Sequence, residues 1–157
     1  RTEIRISSYV EHERWMDRAL AQAARADRLG EIPVGAVLVI DGQLCSQGFN
    51  QVISRNDPTA HAEIVALRQA GETLGNYRFP DSILYVTLEP CLMCAGALIQ
   101  ARVDRLVFGA RDTKKGAGGS VLNILESPMA SHQCKVTAGI REQACSSVLK
   151  RFFEKRR

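Results

Sequence analysis

Two short strings hold the residue types from which a chemical site can be built: His61-Ala62-Glu63 and Pro90-Cys91-Leu92-Met93-Cys94. Cys91 and Cys94 stand three apart at the start of a predicted helix, a spacing from which both sulfurs reach one ion. Free backbone N–H groups and the positive end of the helix dipole favour thiolates at such a place. Two thiolates and one imidazole make three ligands for zinc and leave the fourth position open for water. That is the arrangement of a catalytic zinc, whereas a structural zinc is closed by a fourth protein ligand. Cys-x-x-Cys alone also suits a thioredoxin-like redox pair. What favours the metal is the His-x-Glu string thirty residues upstream, at a second predicted helix start.

That string carries a geometric demand. Residues two apart in a regular helix point about 200° from each other, so His61 and Glu63 cannot share a flank. In a first turn, however, both side chains can fold over the helix end. The ion must then sit over the N-terminus, near the axis. The same holds for Cys91 and Cys94, so two helix N-termini should converge on one ion. Glu63 is better placed as a proton carrier than as a ligand. A zinc-bound water loses its proton near neutral pH when a base is within hydrogen-bond reach. The remaining candidates read more plainly. His12 and His132 lie in polar surroundings and are expected to be solvated. Cys45, Cys134 and Cys145 read as small apolar fillers.

The elements that must position these residues follow from pattern and punctuation. Residues from about Ser8 to Leu29 predict a helix, with Trp15, Ala19 and Ala23 every four positions. Pro33 to Ile40 is a nearly all-apolar run, read as a buried strand. Asp41-Gly42 then signals a type I′ hairpin into Gln43 to about Asn50. A loop over Gln51 to Asn56 leads to Asp57-Pro58-Thr59, where Asp or Thr as cap and Pro early in the helix announce a helix from around Ala60 to about Ala70. Ile83–Thr87 is a third strand, Pro90 begins a helix through about Ala101, and Arg105–Ala110 is a fourth strand. Gly116 to Ser120 is a glycine-rich loop, a weak fifth strand lies near Cys134 to Ala138, and a last helix runs from about Arg141 to Phe153. Apolar strands separated by helices imply a sheet covered on both faces. The expected fold class is α/β, a three-layer α/β/α sandwich on a mixed five-stranded sheet. In such sheets ligands bind beyond the carboxyl ends of strands, where helix starts gather.

Length and composition narrow the classes. With 157 residues, 45% hydrophobic and 24% charged, one globular domain over 1–157 is expected, and disordered or fibrous classes are excluded. No stretch approaches the roughly 20 apolar residues that span a bilayer, so no membrane association is expected. The odd count of five cysteines does not suggest a disulfide framework and fits a reducing cytoplasm. The net charge of +4 is modest, but its placement is uneven. The last eight residues hold five cations and one anion around Phe152 and Phe153, which reads either as a solvated helix end or as a surface for a polyanion.

His-x-Glu followed by Pro-Cys-x-x-Cys resembles the signature of the zinc-dependent nucleobase deaminases. Asp57-Pro58-Thr59-Ala60-His61-Ala62-Glu63, Thr87-Leu88-Glu89-Pro90-Cys91 and Val107-Phe108-Gly109-Ala110-Arg111-Asp112 are similar to the bacterial tRNA adenosine deaminases in particular. The similarity runs from Trp15 to the Phe152-Phe153 pair. It implies a cytidine deaminase-like fold, one Zn²⁺ per subunit, a homodimer, and a tRNA anticodon stem-loop as partner. It further implies hydrolytic deamination of the wobble adenosine to inosine by a zinc-activated water, with Glu63 shuttling the proton. By the same resemblance Asn50 should hydrogen-bond the base, and Val34 should pack against its face, with Ala62 also on the substrate; satisfying a strand end is the other reading of Asn50. Asp112 is a candidate acceptor for a ribose hydroxyl, which would favour RNA; a solvated loop acid is its other reading. Arg111, Lys114, Lys115 and the C-terminal cations are candidates for phosphate contacts. A deaminase of free bases, nucleosides or nucleotides would share the zinc site. An RNA-binding or structural zinc module without catalysis is the third reading.

Overall fold

The computed structural model describes residues 2–156, with side chains from residue 8 onward. Helix α1 (Thr2–Arg28) opens the chain. Its Met16, Ala19, Ala23 and Ala26 recur every three or four positions and are fully buried, so one stripe of the helix lies on the sheet. Gly35 permits that approach, because a Cβ there would run into the backbone of Ala19 and Ala23. The helix starts earlier than the expected Ser8, since no Pro or Gly in residues 2–7 ends it.

Strands β1 (Gly35–Ile40) and β2 (Gln43–Phe49) form the expected hairpin. Asp41 and Gly42 at its tip have φ of 52° and 71°, the paired positive values of a type I′ turn. Then follow α2 (Ala62–Leu74), β3 (Ser82–Leu88), α3 (Leu92–Gln100), β4 (Arg105–Ala110), β5 (Lys135–Thr137) and α4 (Glu142–Glu154). The strand order is β2-β1-β3-β4-β5. β1 is antiparallel to both its neighbours, while β3, β4 and β5 run parallel, so the sheet is mixed.

Successive strand residues face opposite sides, and the sequence supplies apolar side chains to both. Leu38, Leu84, Leu106 and Phe108 pack with Ala66 and Ala70 of α2 and Ala95 and Leu98 of α3. Val37, Val39, Tyr85 and Val107 pack on the other face with Met16 and Ala19 of α1 and Cys145 of α4. These two cores make the three layers. Each fully buried Leu or Phe stabilises them by roughly 1.5–3 kcal/mol. Cys134 and Cys145 are fillers in these cores, Cys45 is half-buried against one, and burial pushes the first two thiols up to about 12.

Three local expectations need correction. Asp57 and Thr59 do not cap α2. Asp57 Oδ1 accepts hydrogen bonds from the Thr59 amide and hydroxyl, closing a turn ahead of the helix, and His61 is the N-cap residue. His12 is not solvated: its Nδ1 lies 2.7 Å from the Tyr85 hydroxyl, because α1 crosses the sheet over β3. His132 is half-buried, with Nε2 2.9 Å from the Val103 carbonyl oxygen. Among the described residues, no helix is long and apolar enough to cross a membrane.

Candidate metal centre and substrate pocket

β3 ends at Leu88, and the chain turns through Glu89-Pro90 to bring Cys91 to the N-cap of α3. His61 holds the equivalent place on α2. Both N-cap residues are extended, with ψ of 156° and 176°, and neither side chain makes a capping hydrogen bond. Their side chains are thereby released from capping and aimed beyond the helix ends. The Nδ1 of His61 lies 3.6 Å from Cys91 Sγ and 3.5 Å from Cys94 Sγ. All three ligand atoms fall within 4.8 Å of one another, positioned to bind a metal ion. The convergence of two helix N-termini, required by the His-x-Glu spacing, is met.

The donor set fits zinc. One imidazole nitrogen and two thiolates are its usual partners, and three of them leave a position for substrate or water. The electrostatics agree. Hydrogen bonds from Cys94 and His61 bring the Cys91 thiol down to about 3, so this sulfur is a thiolate. The Cys91 hydrogen bond and burial push Cys94, deeper in the site, upward. A metal would displace that proton on binding. The hydrogen bond to Cys91 raises the imidazole of His61. Glu63, second residue of α2, is 4% exposed, and loss of hydration carries its carboxyl up to about 7. A carboxyl so tuned can take and give a proton at neutral pH.

His61, Glu63 and Cys91 line a pocket of about 320 Å³. Val34, Asn50, Ala62 and Asp112 all line it, so every residue singled out for contact with the base or ribose is brought to the same cavity. Asn50 donates from Nδ2 to the Ile32 carbonyl at 3.3 Å, while its buried Oδ1 has no protein partner. Asp112 Oδ1 accepts from the amides of Lys114 and Lys115, each at 3.0 Å. Lys115 lines the pocket as well; Arg111 and Lys114 are exposed nearby in sequence. Of the C-terminal cations, Arg156 stacks on the Phe152 ring 3.4 Å from its centroid, and Arg157 lies outside the described residues.

Sequence reasoning missed two buried carboxylates, Glu31 and Glu89, both lining the pocket. Glu31 accepts from the amides of Ile53 at 3.0 Å and Ser54 at 2.7 Å and so moors the loop that follows β2. The available signal was an acid placed in an apolar context, Glu31-Ile32-Pro33-Val34 and Leu88-Glu89-Pro90.

Residues 10–110 match the family described as the cytidine and deoxycytidylate deaminase zinc-binding region. The tRNA-specific adenosine deaminase of Haemophilus influenzae is 51% identical over 146 residues, 92% of this chain and 84% of that one. A solved structure from studies of A-to-I editing by tRNA:A34 deaminases at the wobble position of transfer RNA superposes with a TM-score of 0.84. It is 43% identical and covers 87% of this chain and 99% of its own. A guanine deaminase from Nitrosomonas europaea superposes with a TM-score of 0.78 at 26% identity, over 89% of this chain and 83% of its own. Proteins named for different bases thus share the fold. The chain belongs to the cytidine and deoxycytidylate deaminase zinc-binding family and, within it, to the tRNA-specific adenosine deaminases.

Proposed function

We propose that residues 1–157 act as one zinc-dependent deaminase domain that converts the wobble adenosine of a tRNA anticodon to inosine, releasing ammonia. The observation that carries this reading is the buried Glu63 carboxyl beside the three ligand atoms of His61, Cys91 and Cys94 at the pocket. His61, Cys91 and Cys94 would hold zinc, which would supply the Lewis acidity that activates water toward C6 of the purine. Glu63 accepts the proton of the attacking water and passes it to the purine ring. It then takes the proton of the new C6 hydroxyl and delivers it to the amine, which leaves as ammonia while C6 becomes a carbonyl. Its carboxyl at about 7 suits both directions of transfer.

The other residues hold the base. Asn50 Oδ1 offers a buried acceptor, and Val34 and Ala62 supply apolar contact. The second Asp112 oxygen accepts a ribose hydroxyl, favouring RNA. A cavity of this size admits one base, which must be splayed out of the anticodon stack to reach the metal. Arg111, Lys114, Lys115 and the cations of α4 meet phosphates. The subunit pairs with a second copy. Exposed Leu92 and Met93 at the start of α3, with Val121 and Leu122 in the adjoining loop, support an apolar contact face. A reducing cytoplasm suits the thiolate ligands.

The test is inosine formation by zinc-loaded protein in an anticodon stem-loop, beside free adenosine and free guanine. Product from the stem-loop supports the proposal, and turnover of only the free compounds sinks the tRNA assignment. Glu63→Ala should retain zinc and lose product. A wild-type protein that binds zinc and stem-loop yet makes no inosine overturns the enzyme itself.

A further inference from the structure

Glu89 is 2% exposed and stands two residues before Cys91. Its carboxylate accepts four hydrogen bonds from one loop. Oε1 accepts from the Asp112 amide at 3.0 Å and from the Ser120 hydroxyl. Oε2 accepts from the amides of Gly118 and Ser120, each at 3.0 Å. The main chain repeats the connection: the Glu89 amide donates to Ala110 O, and the Ala117 amide donates to Pro90 O, both at 2.8 Å. Gly116 is pressed so closely on the carboxylate that a Cβ there would clash with it.

A carboxylate in the interior is costly unless its oxygens are fully hydrogen-bonded, and an apolar residue of similar volume would fill the space without that cost. An apolar residue would not, however, bind three amides and a hydroxyl to one point. The loop so bound carries Asp112 and Lys115 into the pocket. One segment, Leu88–Cys91, therefore fixes both a metal ligand and a part of the pocket wall. We propose that Glu89 is a positioning residue for substrate, setting where the Asp112–Lys115 wall stands relative to the metal ligands. The inference rests on the deaminase reading of the site and adds to it a residue that acts through the loop it holds.

The experiment is steady-state kinetics of zinc-loaded, full-chain Glu89→Gln on the anticodon stem-loop. Gln keeps the volume and one acceptor but turns an NH₂ group toward amide donors. With zinc content unchanged, KM should rise at least about tenfold, since displacement of a positioning group by about an ångström carries penalties of that order or more. The fall in kcat should be smaller than the rise in KM. A merely structural role would instead lower the active fraction, hence apparent kcat, and leave KM in place. Gly116→Ala pushes the loop off the carboxylate while leaving Glu89 charged, and should raise KM likewise; it carries the test where Glu89→Gln loses zinc. Lys115→Ala should cost less in the Glu89→Gln background than in the wild type, because the loop no longer presents it. Unmoved KM in zinc-loaded variants, or strictly additive losses, overturns the inference while the deaminase reading stands. A wild type inert toward the stem-loop sinks that reading, and the inference with it.

Discussion

Gly48 lies so close to the first turns of α2 that a Cβ on it would stand 2.8 Å from the carbonyl oxygen of Ala62 and 2.7 Å from the amide nitrogen of Ala66. β2 and α2 thus meet backbone to backbone, and the helix cannot retreat without carrying its N-cap, His61, away from Cys91 and Cys94.

Gly48→Ala should therefore act on the metal centre from a distance. Overpacking against rigid backbone costs about 1–3 kcal/mol. The melting temperature should fall, and zinc occupancy at limiting metal should fall with it. Thermal melts paired with metal analysis check this. A variant with wild-type zinc content and melting temperature would show that α2 has room to yield.

Metal removal gives the complementary case. The ligands come from two helix starts, so the ion joins α2 to α3 across a gap that few other contacts bridge. Chelation should lower the melting temperature and abolish turnover, and added zinc should restore both. With free zinc at 100 times its dissociation constant, the stabilisation is about 2.7 kcal/mol. A metal-free protein that melts at the wild-type temperature would mean the helices are held together without it.

How much of this was legible beforehand depended on the range of the interaction. The metal centre could be read because Cys91 with Cys94, and His61 with Glu63, each lie within one helical turn, and zinc restricts both the type and the number of its ligands. The hairpin could be read because Asp41-Gly42 alone satisfies its backbone. The cap of α2 was misplaced, since Asp57 spends its side chain on Thr59 one turn early, leaving His61 extended to face the metal. Glu89 resisted reading for a different reason. Its partners Asp112, Gly118 and Ser120 lie 23 to 31 residues away, in a loop whose shape Glu89 itself determines. His12 and Tyr85 are 73 residues apart, and nothing in the polar neighbourhood of His12 announces a ring partner.

That pair yields a pH prediction. His12 is half-buried against Tyr85, and burial, with Arg105 nearby, lowers its pKa below the ordinary 6.5; the opposing pull of Glu11 is weaker. The unfolded chain then takes up the His12 proton at higher pH than the folded protein does. Stability from neutral His12 is fully present above the ordinary histidine range and is lost as pH falls through it toward the folded value. Melting temperature should drop more steeply between about pH 7.5 and pH 5 in the wild type than in His12→Gln. Parallel curves for the two proteins would contradict the assignment.

Asn50 separates a substrate contact from a strand-end contact. Its Nδ2 already serves the Ile32 carbonyl, so the strand end is satisfied by half of the amide. The other half, Oδ1, is buried at the pocket wall without a protein partner. An orphaned acceptor costs about 1–3 kcal/mol, which is recovered when a bound base donates to it. Asn50→Ala removes the orphan along with the Ile32 bond, so the two effects on the free protein oppose each other and the melting temperature should move little. Bound substrate loses a hydrogen bond outright, and kcat/KM on the stem-loop should fall roughly five- to hundredfold. If the melting temperature falls while kcat/KM holds, Asn50 serves the strand end alone, and the base takes its hydrogen bonds elsewhere in the pocket.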